Sequence, residues 1–250
     1  MTDVSAPPGI PMPAPLYREL ERRMLDALAS GEWKPGDAIP AERRLAERYG
    51  VSIGTVRKAI DALADANLVI RQQGRGTFVA THNRDRMLFY FFHVAPEGGA
   101  KEYPVVKLVS FARGKADRVE AERLAIAAAD PVFRVRNLLF LSGEPIIVDD
   151  LAIAAARFPG LSEKQFRDRP STIYNLYQDA FGITVARSSE RLRATVADAE
   201  AAALLRLPRG APLLVIRRVA LGLGGEPIEW RVSRVNTAHH EYFVDIGAAT

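Results

Sequence analysis

The hydrophobic pattern changes along the chain, from helical spacing near the N-terminus to short apolar runs after residue 68. Leu20, Met24 and Leu28 lie four residues apart, which is the spacing of one buried helix face. They predict a first packing helix over residues 16–28. Helices are therefore expected first, followed by a region in which strands and helices alternate.

A helix, a tight turn and another helix are predicted next. The first covers residues 41–49, and Gly50 can adopt the left-handed conformation that ends it. Ser52 is suited to cap the following helix, since its side chain can accept from a free backbone N–H. The buried face of that helix is predicted to comprise Val56, Ala59, Ile60 and Leu63. The opposite face is left free and carries Arg57 and Lys58.

Two short strands over residues 68–71 and 77–80 predict a hairpin whose tip holds Gln73, Gly74 and Arg75. Two helices and a hairpin in this order predict a winged helix-turn-helix. Helix–turn–helix arrangements also occur in α-helical cores that do not touch DNA. The exposed arginines favour DNA binding, because a guanidinium offers forked donors suited to phosphate or guanine.

The C-terminal part contains an internal repeat. Residues 130–147 and 211–229 both predict a strand, a Gly-Glu-Pro turn and a second strand. Each copy follows an alanine-rich helix, over residues 121–128 and 198–205. A further strand is expected over residues 105–113, a helix over 173–180 and a buried or pairing strand over 88–94. The predicted fold class is therefore α+β, with a helical DNA-binding domain followed by an α+β domain on an antiparallel sheet.

The expected domain organisation follows from these patterns. It comprises a disordered, proline-rich arm at residues 1–14, a DNA-binding domain at 15–80, a polar linker at 81–87 and an effector-binding and dimerisation domain at 88–250. A length of 250 residues with 48% hydrophobic residues suffices for two cores. The arm lacks the features of a signal peptide, and no apolar run has membrane-spanning length, so a cytoplasmic protein without membrane contact is expected.

The composition limits the kinds of binding and catalytic chemistry that the chain can carry out. The net charge is only +4, so DNA binding must depend on where the charges lie. Cysteine is absent, which excludes disulfides, thiol catalysis and cysteine-ligated metal. His239 and His240 are adjacent, which is not the helical spacing of a zinc pair, so neither a metal nor another cofactor is expected.

Arg134 and Arg136 are candidates for binding an anion. They lie two residues apart on a predicted strand, so both side chains should project from one apolar face. A ligand phosphate or carboxylate could supply the negative charge that they need. Alternatively, Asp149, Asp150 or Glu229 could pair with them inside the protein.

Four motifs resemble the DNA-binding domain of GntR-family bacterial transcription regulators. They are P-L-Y-x-x-L at residues 15–20, G-x-x-x-P-G-D-x-I-P-A-E-R-x-L-A at 31–46, S-x-x-T-V-R-x-A-x-x-x-L at 52–63 and Q-G-x-G-T-F-V at 73–79. The resemblance implies DNA contacts by Arg43, Ser52, Thr55, Arg57, Gly74 and Arg75. Exposed position adds Lys58 and Gln73 to these candidates. Ala41, Ile53 and Gly54 depart from the residues common in the family, so a different operator preference is expected.

The C-terminal domain resembles the UTRA effector-binding domain of the HutC subfamily, which shares the fold of chorismate lyase. The resemblance covers residues 103–245 and rests on A-D-P-V-F-R-V-R, S-G-E-P-I and G-E-P-I-E. It implies that a small molecule changes the affinity for DNA, and that the effector contacts are Arg134, Arg136, Asp149, Thr172, Tyr174 and Glu229. Asp149, Thr172 and Val235 differ from the glutamate, serine and tyrosine found in relatives.

The sequence thus predicts a homodimeric transcription regulator that binds an inverted-repeat operator and a small, anionic effector. Its expected role is a ligand-released repressor of a catabolic or transport operon. One alternative is a nucleoid or plasmid-maintenance protein whose C-terminal domain only dimerises. An enzyme is the other alternative, but the sequence offers neither a nucleophile with an evident base nor a phosphate loop, and fold alone does not transfer activity.

Overall fold

The structure is a computed structural model that describes residues 15–244, apart from the side chain of Phe89. The chain divides into two compact units, Met1–Val79 and Ala80–Thr250. The predicted disordered arm at residues 1–14 lies outside the described residues.

The first unit contains three helices and a two-stranded antiparallel hairpin. The elements are α1 (Leu16–Ala29), α2 (Glu42–Tyr49), α3 (Ile53–Asp65), β1 (Val69–Gln72) and β2 (Gly76–Val79). The residues predicted to form the helical core, from Leu20 to Leu63, are all buried. This arrangement confirms the predicted winged helix-turn-helix.

Local chemistry explains the turn between α2 and α3. Gly50 ends α2 in the left-handed region, with a φ of 64°, where a side chain would cause strain. Ser52 caps α3, because its Oγ accepts a 3.1 Å hydrogen bond from the Thr55 N–H. The turn therefore follows from residues that lie inside it.

The second unit is built on a six-stranded antiparallel sheet with strand order β4-β5-β6-β9-β8-β7. Its strands are β4 (Val105–Lys115), β5 (Pro131–Leu141), β6 (Glu144–Ala154), β7 (Arg187–Val196), β8 (Pro212–Leu221) and β9 (Pro227–Asn236), while β3 (Val94–Pro96) pairs with β10 (His240–Tyr242). The helices are α4 (Arg84–Tyr90), α5 (Arg118–Leu124), α6 (Glu163–Arg167), α7 (Ile173–Phe181) and α8 (Ala199–Leu205), with a 3-10 turn at Ala155–Arg157. This topology confirms the predicted α+β class.

The internal repeat is visible in the sheet. The segments β4-α5-β5-β6 and β7-α8-β8-β9 have the same order of elements, and β6 pairs with β9 at the centre. Helices α5 and α8 cover one face, which we name the α5/α8 face, through side chains such as Leu124 and Leu205. Helix α7 covers the other, which we name the α7 face, through Ile173 and Tyr177. Each strand therefore supplies side chains to two chemically separate environments.

The strand predicted over residues 88–94 is wrong for most of its length. Helix α4 continues to Tyr90, and only Val94 belongs to a strand. Asn83 caps this helix by accepting a 2.7 Å hydrogen bond from the Arg86 N–H. Met87 and Phe91, four residues apart, pack into the core on the α7 face. This packing overrides the preference of aromatic residues for strands.

The predicted linker at residues 81–87 is likewise corrected. His82 and Arg86 are buried, and the His82 backbone N–H donates a 2.9 Å hydrogen bond to Gln178 Oε1 on α7. Residues from Arg84 onward are helical. This polar segment therefore belongs to the second unit, which begins at Ala80.

Candidate DNA interface and effector pocket

The candidate DNA-contact residues lie on the surface of the first unit. Seven of them are exposed and Thr55 is half-buried; the exposed ones are Arg43, Ser52, Arg57, Lys58, Gln73, Gly74 and Arg75. They occupy α2, the N-terminal part of α3 and the tip of the hairpin. This distribution fits a recognition helix and a wing, and contact with DNA stays a prediction for each side chain.

Arg57 is held by a carboxylate. Its Nη2 lies 2.8 Å from Glu42 Oε2, and its Nε lies 3.3 Å from Glu42 Oε1. Hydrogen bonding to this carboxylate raises the pKa of Arg57. The ion pair with Glu42 orients the arginine, and a DNA phosphate or base edge would either compete with Glu42 or bind the Nη1 that Glu42 does not use.

The wing presents its arginine on an aromatic ring. The Arg75 guanidinium lies 5.6 Å from the centre of the Phe78 ring. Gly74 has a φ of 72°, and a Cβ added there would meet no atom within 4 Å. Because Gly74 has no side chain, the backbone of the tip can approach a phosphate backbone closely.

Replacing Gly54 by alanine should stabilise the free protein and weaken its binding to DNA. Gly54 is exposed on α3, and an added Cβ would lie 3.8 Å from its nearest neighbour, Ser52 Oγ. The helix should gain up to about 1 kcal/mol from the alanine. Thermal unfolding and a DNA-binding titration check this prediction, and a titration unchanged by the substitution would show that the α3 backbone does not closely approach DNA.

The six predicted effector residues do not form one site. Arg134 and Arg136 project onto the α5/α8 face, whereas Asp149 and Glu229 project onto the α7 face. Tyr174 lies on α7 itself. The expectation that both arginines share a ligand with the other residues is therefore corrected, because the sheet separates the two groups.

Internal carboxylates satisfy both arginines. The Arg134 Nε donates to Glu120 Oε1 at 2.7 Å, and its Nη2 donates to the Lys115 carbonyl at 2.7 Å. Arg136 Nε lies 2.5 Å from Asp150 Oδ1, and its Nη1 contacts Glu200. Of the partners predicted from the sequence only Asp150 is used, and the internal-pairing alternative describes these arginines.

A buried polar cluster lies on the α7 face instead. Arg231 Nη1 donates to Asp149 Oδ2 at 2.8 Å, and Arg231 Nε donates to Glu229 Oε1 at 2.7 Å. Tyr177 donates to Glu229 Oε2 at 2.8 Å, while the Tyr174 hydroxyl lies 3.5 Å from Glu229 Oε1. One guanidinium thus pairs with two carboxylates, which makes Arg231 the centre of the cluster.

Burial and charge pairing together set the pKa values of this cluster. Burial alone would lower the pKa of Arg231, but Asp149 and Glu229 raise it well above its usual value. Burial raises the pKa of Tyr174 to about 12 and that of Tyr177 well above its usual value. The arginine is therefore charged and both tyrosines are protonated at neutral pH. Thr172 is not a member, since it is the buried N-cap of α7 and accepts from the Asn175 N–H at 3.0 Å.

The cluster borders a pocket within the second unit. The space inside it is about 60 Å³, and about 700 Å³ when the part open to solvent is included. The apolar lining includes Met87, Phe91, Phe92, Val94, Val106, Leu139, Ile147, Ile173 and Ile216, and the polar lining includes His93, Tyr103, Asn137, Asp149, Arg169, Arg218, Arg231, Ser233 and Tyr242. A concave site that combines apolar side chains with convergent polar groups is typical of small-molecule binding.

Four buried polar atoms around this pocket have no hydrogen-bond partner among the described residues. They are His93 Nδ1, Asn137 Oδ1, Arg169 Nε and Arg231 Nη2. Burial lowers the pKa of His93 to about 4, so its imidazole is neutral at neutral pH. Burial also lowers the pKa of Arg169. Unpaired buried polar atoms are costly, so a polar ligand here would be stabilised by pairing with them.

Three polar residues of the pocket were not predicted from the sequence: Asn137, Arg169 and Arg231. Arg231 carried a usable signal, because it lies two residues after Glu229 on a predicted strand and so shares its face. Asn137 is the residue next to Arg136, on the opposite face of the same strand. Arg169 lies in the segment between α6 and α7, where no periodicity marks it.

Membrane-spanning helices and metal-binding clusters are both absent from the described residues. No helix in the described part of the chain is long and apolar enough to cross a membrane. Residues 15–244 hold no group of three or more histidine, aspartate or glutamate side chains that could bind a metal ion.

Known protein families match both structural units of the chain. The sequence profile of the bacterial regulatory proteins of the gntR family matches residues 16–79, and that of the UTRA domain matches residues 100–241. A protein of Escherichia coli K12, named "Probable fructoselysine utilization operon transcriptional repressor", is 30% identical over 85% of this chain and 87% of its own. The histidine utilization repressor of Klebsiella aerogenes is 28% identical, covering 82% of this chain and 84% of its own.

A solved structure has the same arrangement of elements. PhnF from Mycobacterium smegmatis is 26% identical, and its structure covers 94% of this chain and 100% of its own with a TM-score of 0.55. A winged helix-turn-helix joined to an effector domain defines a ligand-responsive transcriptional repressor, which is not an enzyme. The chain belongs to the GntR family of bacterial regulators and carries the UTRA domain of its HutC-like members.

Proposed function

We propose that this protein is a homodimeric repressor that binds an inverted-repeat operator of a catabolic or transport operon and is released by a small anionic metabolite. The observation that carries the proposal is the pocket on the α7 face, with its four unpartnered polar atoms. Relatives named as repressors of utilisation operons support the class of target.

DNA recognition is assigned to α3 and the wing. In a winged helix-turn-helix the second helix of the motif enters the major groove, where Arg57 and Lys58 can reach base edges or phosphates. One chain carries one such helix, so a symmetric dimer supplies two for the halves of an inverted repeat. Edge strand β7 exposes Leu192 and Val196, which supports pairing between two copies along this edge.

The proposed route from pocket to DNA runs through α4. Met87 on this helix and Phe91 at its end line the pocket, and the helix begins at Arg84, shortly after the first unit ends at Val79. A ligand that contacts α4 better in one arrangement of the protein shifts the population toward that arrangement. Operator and effector then weaken each other's binding by the same factor.

The proposed function is tested with the purified full chain. Repeated selection from random double-stranded DNA should enrich an inverted repeat, and sedimentation should give a dimer on that DNA. A DNA-bound protein that no metabolite extract releases would favour the alternative role, in which the C-terminal domain only dimerises. Selection without enrichment would contradict sequence-specific binding itself.

Replacing Arg136 by alanine should preserve the response to effector. Its side chain lies on the α5/α8 face and pairs with Asp150 and Glu200, away from the pocket. The ion pair with Asp150 is partly exposed, so its loss should cost about 1 kcal/mol or less. A DNA-release titration with the effector checks this expectation. An Arg136→Ala variant that binds DNA normally but no longer responds would return the effector site to the α5/α8 face.

A further inference from the structure

We infer that the effector is a small monocarboxylate with an apolar body and one hydroxyl or amino donor, and that Arg169 and Arg231 bind its carboxylate while Asn137 accepts from its donor. This inference rests on the proposed function and specifies its ligand. It starts from the unpartnered atoms of the pocket, which are two guanidinium nitrogens, one amide oxygen and one imidazole nitrogen.

The two guanidinium groups define the anionic end of the ligand. Arg231 uses Nε and Nη1 for Glu229 and Asp149, and its Nη2 is left without a partner among the described residues. Arg169 donates to the Phe166 carbonyl through Nη1. Its Nε has no hydrogen-bond partner, and no acidic side chain within residues 15–244 forms an ion pair with it. Burial raises the pKa of Tyr103, which also lines the pocket, and the charges of Arg169 and Arg231 oppose that rise. Two unsatisfied donors on two cations that line one pocket match the two oxygens of a carboxylate.

Asn137 requires a hydrogen-bond donor from the ligand, whereas the two arginines require acceptors. This side chain is 4% exposed, it lines the pocket and its Oδ1 has no donor among the described residues. A carboxylate cannot satisfy an amide oxygen, because both are acceptors. The ligand must therefore carry an O–H or N–H group in addition to its negative charge. His93, being neutral, can pair with the same group or with a second one.

The remaining lining argues against a phosphate and favours an apolar ligand body. Asp149 borders the pocket with its charge already paired to Arg231, so a doubly charged phosphate would lie near a buried carboxylate. Phe92, Leu139 and Ile216 give the pocket an apolar surface that suits an apolar ligand body. A single carboxylate on an apolar body fits both conditions.

The experiment is a thermal-shift and calorimetric titration of the full chain with a matched series of probes. The series comprises 4-hydroxybenzoate, 4-hydroxyphenylacetate, imidazole-4-acetate and 5-aminopentanoate, each with its methyl ester, together with benzoate, phenyl phosphate and glucose 6-phosphate. We expect at least one of the four hydroxy or amino acids to stabilise the protein. Its ester, and the analogue without the donor, should bind roughly tenfold or more weakly.

Arg169→Gln separates binding from folding. The side chain has no acidic partner in the described residues, so its removal should leave the melting temperature of the free protein unchanged or higher, while the ligand-induced shift is lost. Arg167→Gln is the matched control, since this exposed arginine on α6 pairs with Glu163 and should behave as wild type. Asn137→Leu should remove the advantage of a hydroxy acid over benzoate.

Each remaining outcome overturns the inference. Carboxylate binding that survives Arg169→Gln would exclude the assigned site. Stabilisation by phenyl phosphate, glucose 6-phosphate or an ester alone would exclude the ligand class but leave ligand control of DNA binding intact. No shift with any carboxylate would exclude the ligand class as well. The proposed function fails separately, if the selected DNA is not bound or is never released.

Discussion

Replacing Arg231 by methionine should lower the free energy of unfolding by roughly 3–5 kcal/mol, which is the usual cost of removing one partner from a buried ion pair. The reason is the charge imbalance that the substitution leaves in the buried cluster. Asp149 and Glu229, whose side chains are 3% and 0% exposed, would both lose their guanidinium partner. Methionine is similar in length and apolar, so the charge rather than the volume is what changes. Urea unfolding of the full chain, followed by the fluorescence of Trp230 in the second unit, measures the effect.

Arg234→Met is the matched control. It lies three residues further along β9, on the opposite face of the sheet, and pairs with Asp150 where both side chains are 28% exposed. Partly exposed pairs contribute about 1 kcal/mol or less. Equal losses in the two variants would show that Arg231 is not the centre of a buried cluster, and that the pocket is more hydrated than the structure indicates.

Replacing Arg57 by alanine should reduce operator affinity by about 1–3 kcal/mol and leave effector binding intact. The side chain is exposed near the N-terminal part of α3, where recognition helices contact bases and phosphates. In the free protein it is paired with Glu42, so the measured loss is the difference between the DNA contact and that ion pair. Titration of a labelled operator at fixed salt measures it, because such affinities depend strongly on ionic strength.

Arg48→Ala distinguishes a DNA contact from a general loss of charge. Arg48 lies in the last turn of α2 and forms an ion pair with Glu32, as Arg57 does with Glu42. Its removal subtracts the same charge at a position outside the predicted interface, so operator affinity should fall much less. A larger loss for Arg48→Ala would contradict the assignment of α3 as the recognition helix.

Sequence alone predicted the local structure correctly wherever the determining interactions lie within a few residues. Gly50 and Ser52 act within a few residues of themselves, so the turn between α2 and α3 could be predicted from its own chemistry. The strand pairs on either side of the Gly-Glu-Pro turns followed from alternating apolar residues and turn signals. Even the shared face of Arg134 and Arg136 was predicted correctly, since it depends only on the period of a strand.

The tertiary structure decided which helices pack on each face of the sheet. Alternation places Arg136 and Asn137 on opposite faces, but only the packing of α7 and α5 on those faces shows that Asn137, not Arg136, borders the pocket. Arg231 finds its partner Asp149 across 82 positions of sequence. Burial and charge pairing depend on such distant contacts, whereas caps, turns and strand periods do not, and this is why the fold was predictable and the candidate pocket was not.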